Sequence, residues 1–185
     1  MENVIELKNV SKSFGSFKLN DLSLTIKKGF VTGLIGENGA GKSTLIKIMM
    51  NLVLPQSGEV RIFGMDYATK EKEIKEKIGF IYNESLFYEE LTLKDMERIA
   101  GYSYRNWDTE SFHNYCSEFE LPMNKQLENF SDGMKMKASL AFALSHDADL
   151  LIFDEPTTNL DPVFRREFIE ILRDIMVDEE KTILI

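Results

Sequence analysis

The sequence has a single cysteine, Cys116, among its 185 residues. One cysteine cannot form a disulfide within the chain, and Cys116 lacks the neighbouring cysteine and histidine spacing of a zinc site. We therefore interpret Cys116 as a structural residue. We expect neither a disulfide framework nor a cysteine-based metal centre.

Long apolar runs are also missing. The longest apolar patches lie at residues 138–144 and 150–153, and both are far shorter than the roughly 20 residues that a helix needs to cross a bilayer. The first ten residues, MENVIELKNV, contain neither a basic region followed by an apolar run nor a small-residue cleavage site, so they do not resemble a signal peptide. We expect a cytoplasmic protein whose role at a membrane comes through a partner.

Basic clusters are absent as well. The chain has 22 Lys and Arg residues against 31 Asp and Glu residues, which gives a formal net charge of −9, and no segment collects its basic residues into a block. Proteins that bind the nucleic acid backbone do so largely through lysine and arginine. The charge balance therefore argues against nucleic acid as a partner.

The residues that are present predict one domain of strands and helices. An apolar content of 43% is enough for one substantial core, and the chain has no internal repeat or low-complexity linker. Alternating apolar and polar residues predict antiparallel strands near the N-terminus, and more continuous apolar runs predict buried parallel strands. The predicted strands are residues 4–10, 22–26, 30–35, 59–63, 78–82 and 150–153; the predicted helices are residues 42–54, 70–77, 131–145 and 162–176, with a helical lobe over 91–120.

The strongest chemical signal is the run GENGAGKS at residues 36–43, which matches GxxxxGK[ST] between a predicted strand and a predicted helix. Glycines let backbone N–H groups close around phosphate oxygens, and the following helix directs its positive end at them. Lys42 adds a positive charge between the β- and γ-phosphates, and the Ser43 hydroxyl can bind Mg²⁺. A glycine turn that binds nothing would leave both side chains unexplained, so the pattern predicts a nucleotide site.

Two adjacent carboxylates, Asp154 and Glu155, follow the apolar strand predicted at residues 150–153. On their own, two acids after a strand more often belong to a solvated loop. Open α/β sheets bind ligands at the carboxyl ends of their strands, so we expect the fold to bring Asp154 to Lys42 on neighbouring parallel strands. Asp154 would then hold Mg²⁺, and Glu155 would polarise the attacking water as a general base.

A third motif narrows the class of nucleotide hydrolase. The run FSDGM at residues 130–134 opens a predicted helix and resembles the LSGGQ signature of ABC ATPases. Ser131 and Gly133 match; the residues that depart from it are Phe130, Asp132 and Met134. Taken alone, a serine at a helix start has a simpler interpretation as an N-cap. The run EPTTNLDP at residues 155–162 then resembles the family's D-loop, so the resemblance to ABC ATPases covers nearly the whole chain.

The resemblance implies a fold. It is an α/β P-loop NTPase of the RecA-like kind, with a mainly parallel sheet flanked by helices, an N-terminal antiparallel β subdomain and an α-helical subdomain at about residues 86–145. Residues 1–185 would form a single ABC-type ATP-binding domain.

The resemblance also implies ATP and Mg²⁺ as ligands. Phe14 lies where the family places an aromatic residue on adenine, and Asn83 lies where the family usually has glutamine, with a shorter amide reach toward metal or water. The residues expected to bind the nucleotide are Phe14, Gly36, Glu37, Asn38, Gly39, Ala40, Gly41, Lys42, Ser43, Thr44, Ser131, Gly133 and Asp161; the expected metal ligands are Ser43, Asn83 and Asp154; the expected catalytic residues are Glu155, Lys42 and Asn83.

The family's switch histidine, at the end of the strand after the helix that Pro162 opens, has no counterpart before the sequence stops at Ile185. His113 lies in the helical lobe, and His146 lies at a helix end where a positive charge suits the helix dipole, so neither can replace it. We therefore expect the C-terminal part to be missing and the last strand to be frayed at its edge. This form should bind Mg·ATP but hydrolyse it poorly.

Within the family, the runs SDGMKMK at residues 131–137 and NWD at 106–108 resemble the bacitracin-export-like branch of bacterial exporters. That resemblance implies a subunit at the inner face of the cell membrane, working with an integral membrane permease and a second ATP-binding domain, identical or paralogous. The alternative is a soluble ABC-type ATPase in translation or DNA maintenance, which the net charge disfavours. A P-loop kinase or GTPase would leave the signature and the D-loop without a role.

Overall fold

The computed structural model describes residues 2–15, 17–37, 39–82, 88–156, 162–178 and 181–185. Strands and helices alternate along this part of the chain and form two sheets with helices packed against them. The strands are β1 (Asn3–Phe14), β2 (Phe17–Lys27), β3 (Val31–Thr32), β4 (Ser57–Ile62), β5 (Ile78–Tyr82), β6 (Leu150–Asp154) and β7 (Thr182–Leu184). The helices are α1 (Lys42–Met49), α2 (Tyr67–Glu76), α3 (Leu93–Ser103), α4 (Thr109–Glu118), α5 (Asp132–Ser145) and α6 (Pro162–Asp178), with a 3₁₀ turn at Leu127–Asn129.

The N-terminal strands form an antiparallel sheet of order β2-β1-β4. β1 and β2 make a hairpin that pairs Leu7 with Leu24 and, beside the turn, Phe14 with Phe17. Leu7 and Val10 of β1 are both buried in the core although they are three positions apart, because a register irregularity lies between them. The prediction of antiparallel strands in this region is confirmed.

A parallel sheet of order β3-β7-β6-β5 forms the centre of the fold. All five residues of β6 are buried, because the strand has a neighbour on each edge and a core on each face. Leu150 and Ile152 pack with residues of β1 and α1, whereas Leu151 and Phe153 pack with residues of α5 and α6. The expected α/β fold, with a parallel sheet, an antiparallel sheet and flanking helices, is confirmed.

Two expectations about the parallel sheet are wrong. The strand before the glycine-rich run spans Val31–Thr32 instead of residues 30–35, and Phe30 and Ile35 are 48% and 100% exposed. Among the described strands, only β7 pairs with β3, so β3 lies at an edge of the parallel sheet. β3 and β6 are also not neighbours, because β7, which follows α6 along the chain, lies between them.

The position of β7 corrects the expectation of a frayed last strand. β7 pairs in parallel with β3 on one side and with β6 on the other, and all three of its residues are buried. The Gly29 N–H donates to the Thr182 hydroxyl at 3.0 Å, which fixes the start of the strand. A buried strand with partners on both edges resists local opening. The low turnover expected of this form stays a prediction. A frayed last strand no longer supports it.

Helix α1 ends at Met49, earlier than the predicted end near residue 54. Asn51 adopts a φ of 56°, a left-handed conformation that stops a helix and that asparagine enters more readily than most residues. The N–H groups of Leu52 and Val53 both donate to the Lys47 carbonyl, at 2.9 and 3.2 Å. Asn51 therefore terminates the helix before Pro55 is reached.

The predicted helical lobe contains α3 and α4, which pack with α5 around an aromatic cluster. The ring centroid of Phe112 lies 4.8 Å from that of Phe142 and 5.1 Å from that of Trp107. α3 begins at a capping box in which Thr92 and Asp95 each accept a backbone N–H of the other. α5 also packs against β5, so the helices share a core with the parallel sheet. The subdomain boundaries of about 86–145 stay a prediction.

His146 is a buried packing residue, and its interpretation as a charged helix end is wrong. Its side chain is 4% exposed, its ring stacks on Tyr104 at 4.1 Å, and its Nδ1 lies 3.2 Å from the carbonyl oxygen of Glu76. Burial lowers the pKa of His146 below its ordinary value, because a charged imidazole would lose its hydration. The ring is therefore neutral at pH 7 and joins the end of α5 to the end of α2.

Candidate nucleotide-binding site

The glycine-rich run forms the loop between β3 and α1. Gly39 and Gly41 adopt φ angles of 83° and 98°, in the left-handed region that glycine enters without steric cost. Gly41 is the N-cap of α1, and no side chain of the described residues caps this helix. The N–H groups of its first turn are therefore available to an anion, at the end where the helix dipole is positive.

Lys42 folds back over this loop. Its Nζ donates to the carbonyl oxygens of Gly36 at 2.8 Å and Glu37 at 3.2 Å, and it lies 4.0 Å from Oε1 of Glu155. Phosphate oxygens are charged acceptors and form stronger hydrogen bonds with an ammonium than carbonyl oxygens do. The loop thus holds the ammonium where a phosphate can take over its hydrogen bonds.

Ser43 and Asp154 meet although they belong to separate motifs. The Ser43 hydroxyl donates to Oδ1 of Asp154 at 2.9 Å, and Asp154 is 3% exposed at the carboxyl end of β6. The contact forms because α1 packs against β6, across the intervening β7. A hydroxyl and a carboxylate oxygen are ligands that Mg²⁺ takes together with phosphate oxygens, so this pair of donors fits the ion. The two motifs form one site.

A metal at this position would depend on its nucleotide. Within the part of the chain that the structure describes, no three His, Cys, Asp or Glu side chains cluster at metal-binding spacing. Mg²⁺ is commonly held by one or two protein oxygens, with substrate phosphates and water completing its shell. Ser43 and Asp154 suit that arrangement.

Glu155 lies at the same edge of the sheet and has an uncommon backbone conformation. Its φ of 52° falls in the left-handed region, which costs a residue other than glycine about 1 to 3 kcal/mol. Its side chain is 43% exposed. A carboxylate that is open to solvent beside a phosphate site can accept a proton from water. The strained backbone at the end of a buried strand favours a functional role for Glu155.

An aromatic pair borders the loop from the antiparallel sheet. Phe14, the residue expected to contact adenine, is 49% exposed, and Lys12 Nζ lies 5.0 Å from its ring centroid. Phe17, the partner of Phe14 across the hairpin, lies so close to Gly41 that a Cβ there would overlap its ring. The sequence analysis missed Phe17, because only the pairing of the two strands reveals that this ring reaches the loop.

The signature residues begin α5. The Ser131 hydroxyl accepts the N–H of Met134 at 3.2 Å, so the interpretation of Ser131 as an N-cap is confirmed. Gly133 lies against Phe164 of α6, where an added Cβ would be 3.4 Å from the ring. Among the described residues, no hydrogen bond joins Ser131 or Gly133 to residues 36–44.

The remaining predicted residues divide into two groups. Thr44 lies in the first turn of α1, and the Ala40 N–H donates to the Glu37 carbonyl at 3.1 Å, which closes a turn within the loop. The predicted site residues that lie outside the described residues are Asn38, Asn83 and Asp161. Their roles stay predictions.

The loop, its lysine, the Ser43–Asp154 pair and Glu155 define the site of a P-loop nucleotide hydrolase. The family model described as ABC transporter matches residues 19–158, which is most of the chain. The chain therefore belongs to the ABC transporter family, as an ATP-binding domain of the ABC ATPase type.

Individual relatives agree with this family. The chain is 35% identical to the ABC transporter ATP-binding protein NatA of Bacillus subtilis, over 98% of this chain and 78% of NatA. It is 34% identical to the bacitracin transport ATP-binding protein BcrA of Bacillus licheniformis, over 100% of this chain and 61% of BcrA. It thus spans about three-fifths of the length of BcrA.

A solved structure supports the same conclusion and shows an assembly. A dimeric ATP-binding cassette in a post-hydrolysis state, bound to ADP and Pi, matches with a TM-score of 0.82 at 26% identity, over 97% of this chain and 86% of that one. The resemblance to bacterial ABC ATPases is therefore confirmed in sequence and in fold.

Replacing Lys42 with alanine should weaken ATP binding by about 10- to 100-fold, because a hydrogen bond to a charged group contributes about 1.5 to 3 kcal/mol. Calorimetric titration of the purified protein with ATP measures the change. Lys8→Ala removes the same charge from a side chain that is 60% exposed on β1, and it should bind ATP as the wild type does. Near-normal affinity in the Lys42 variant would contradict the assignment of the phosphate loop.

Proposed function

We propose that this chain couples ATP binding and hydrolysis to the export of a substrate by a separate integral membrane permease. The observation that carries the proposal is the 2.9 Å contact between Ser43 and Asp154, because it unites the phosphate loop and the carboxylate strand in one site for Mg·ATP. The similarity to BcrA, named as a bacitracin transport protein, supports transport as the process that ATP drives.

The phosphate-binding groups come from the loop and from α1. The N–H groups of Gly39 and of residues 41–44, with the Lys42 ammonium, bind the β- and γ-phosphates. Ser43 and Asp154 would hold Mg²⁺, which would neutralise charge on the phosphate oxygens. Phe14 stacks on the adenine ring, for which its exposed position at the hairpin end is suitable.

Glu155 and Asn83 are the residues that we assign to activating the attacking water. Glu155 accepts the proton of the attacking water, supported by its exposed carboxylate 4.0 Å from Lys42. Asn83 offers an amide to the metal or to the water, with a shorter reach than the glutamine usual in the family. In this assignment, Glu155 accepts the proton and Asn83 positions the metal or the water.

A second ATP-binding domain, identical or paralogous, completes each site. Ser131 and Gly133 lie at the N-terminus of α5, a 14-residue helix whose positive end suits a phosphate. Head-to-tail pairing brings this helix start to the γ-phosphate on the partner. Asp161, which is outside the described residues, is proposed as a further nucleotide contact from the family resemblance alone. ATP then favours the closed dimer and hydrolysis releases it, which is a ligand-dependent shift between two states. The dimeric cassette bound to ADP and Pi supports such pairing.

The permease docks in a groove on the surface of the domain. The groove has a volume of about 930 Å³ and lies between α2 and β5 on one side and α3 and α5 on the other. Its lining includes Met50, Ile78, Phe80, Met96, Ile99 and Phe142. An exposed apolar groove of this kind suits the apolar face of an amphipathic helix.

Glu76 adds a polar group to this groove. Its Oε1 is buried and has no hydrogen-bond partner among the described residues, since Lys72 Nζ is 3.8 Å away, too far to donate. A buried carboxylate oxygen without a donor is unfavourable. The Lys72 ammonium still forms an ion pair with this oxygen, so a docked permease helix would meet a charged pair on this side of the groove. Docking of this kind places the domain at the cytoplasmic face of the membrane.

No helix within the described residues is both long enough and apolar enough to span a membrane.

Glu155→Gln should leave ATP affinity close to that of the wild type and reduce turnover by about 10²- to 10⁴-fold, because the amide keeps the shape of the side chain but cannot accept a proton. Calorimetric titration and a phosphate-release assay on one sample measure the two effects. Glu170→Gln, on the exposed side of α6, is the matched control and should hydrolyse ATP normally. Unchanged turnover in the Glu155 variant would remove Glu155 from the mechanism.

Ile99→Arg should reduce recovery of the permease with the ATPase by at least about tenfold, because it places a charge in the apolar groove. The experiment co-expresses the chain with the polytopic membrane protein encoded beside it and measures how much permease co-purifies. Ile169→Arg changes an equally apolar residue that is 57% exposed on α6, and it should have no effect. Equal recovery with both variants would exclude the groove, and the lack of any polytopic neighbour that co-purifies would count against the exporter role.

A further inference from the structure

In the proposed dimer, the N-terminal ends of helices α5 and α6 lie near residues that contact two different nucleotides. α5 starts at Ser131 and Gly133, which serve the nucleotide on the partner chain. α6 starts at Pro162, seven residues after Glu155, which serves the nucleotide of its own chain. A contact between these helices therefore connects the two ATP sites.

Two neighbouring contacts join the helices. Gly133 packs against the ring of Phe164, at a distance that leaves just enough room for a methyl group. One turn further along the same face of α5, Lys137 Nζ lies 2.6 Å from Oε1 of Glu167 and 5.6 Å from the centroid of the Phe164 ring. The Lys137 side chain is 17% exposed, so water and salt screen its charge less than that of a surface lysine.

Helix α6 is in turn fixed to the strand that carries the metal-binding carboxylate. Phe168 is 1% exposed, and its ring meets the ring of Phe153 edge-on, with centroids 5.4 Å apart. Phe153 directly precedes Asp154 in β6. Packed side chains thus connect Phe153, the backbone neighbour of Asp154, through α6 to Lys137 and Gly133 at the signature.

We propose that Lys137 and Glu167, with the Phe164 ring beside them, form a joint through which the state of one ATP site reaches the other. The inference rests on the head-to-tail dimer of the proposed function. A change at the carboxyl end of β6 displaces α6 through the contact between Phe153 and Phe168, and the joint then withdraws the start of α5 from the partner's nucleotide. Lys137 is a positioning residue in this account, because it touches neither nucleotide.

The other lysine near the signature is held elsewhere. Lys135 Nζ donates to Oε1 of Glu89 at 2.8 Å, and the Glu89 carbonyl accepts the Glu128 N–H at 2.9 Å. These contacts fasten α5 to the segment before α3. Lys137 is therefore the lysine of this helix start that reaches α6.

The chain offers a closely matched control for the joint. Lys77 Nζ lies 2.6 Å from Oδ2 of Asp149 and 5.2 Å from the centroid of the Phe63 ring. This pair has the same chemistry as Lys137 with Glu167 and Phe164, but it lies at the amino ends of β5 and β6, away from the nucleotide edge of the sheet.

The experiment measures the ATP dependence of steady-state hydrolysis for Lys137→Met, Glu167→Gln and their combination, beside Lys77→Met and Asp149→Asn. The wild type should be cooperative, with a Hill coefficient above about 1.5 and at most two. Each joint variant should lower the coefficient to about one, and the double variant should lower it no further. The control variants should stay cooperative. Binding of ATP to the dilute subunit should be unchanged throughout, since the joint is not part of the phosphate site.

Each remaining outcome is decisive. Wild-type cooperativity in the joint variants, or an equal loss in the control variants, would overturn the joint while leaving the proposed function intact. A wild-type protein that hydrolyses ATP without cooperativity would also overturn the joint, because its two sites would then be independent, and the proposed function would remain. Urea unfolding midpoints identify variants that fail to fold. If Lys137→Met fails to fold, Glu167→Gln tests the joint instead, because glutamine has the shape of glutamate and the Glu167 side chain is 45% exposed.

Discussion

The hydrogen bond from Ser43 to Asp154 is the contact that the nucleotide site requires most. Asp154 is buried at 3% exposure, and a buried carboxylate is unfavourable unless a donor satisfies it. The Ser43 hydroxyl supplies that donor from a different motif, so the loop after β3 and the end of β6 are held at one distance. The same two oxygens are the ligands that we propose for Mg²⁺. One contact therefore both orders the two motifs and positions the metal ligands.

The fold around this contact keeps it rigid on three sides. β6 is buried on both faces, with Ile152 in one core and Phe153 in the other, so Asp154 leaves the sheet at a fixed point. β7 lies between β3 and β6 and sets the distance that α1 spans. Phe17 packs against Gly41 and joins the antiparallel sheet to the loop. Packed elements of this kind transmit strain instead of absorbing it. The proposed joint between α5 and α6 requires the same property.

Local chemistry made much of the site predictable, because the residues near Lys42 and Asp154 act through patterns a few positions long. The strand order was not predictable in this way, since β7 is placed between β3 and β6 by packing over the whole sheet. Phe17 was missed because its contact with the loop depends on hairpin pairing. His146 was misjudged because its neutral state results from burial under Tyr104, a neighbour 42 positions away.

The most direct test compares ATP binding with and without Mg²⁺ in the wild type and in Asp154→Asn, by calorimetric titration. The asparagine keeps the shape of the side chain and can still bond to Ser43, but it is a much weaker ligand for a hard cation. If the two motifs form one Mg·ATP site, Mg²⁺ should strengthen ATP binding in the wild type, and the variant should lose most of that gain while binding metal-free ATP normally. An equal gain from Mg²⁺ in both proteins would contradict the account.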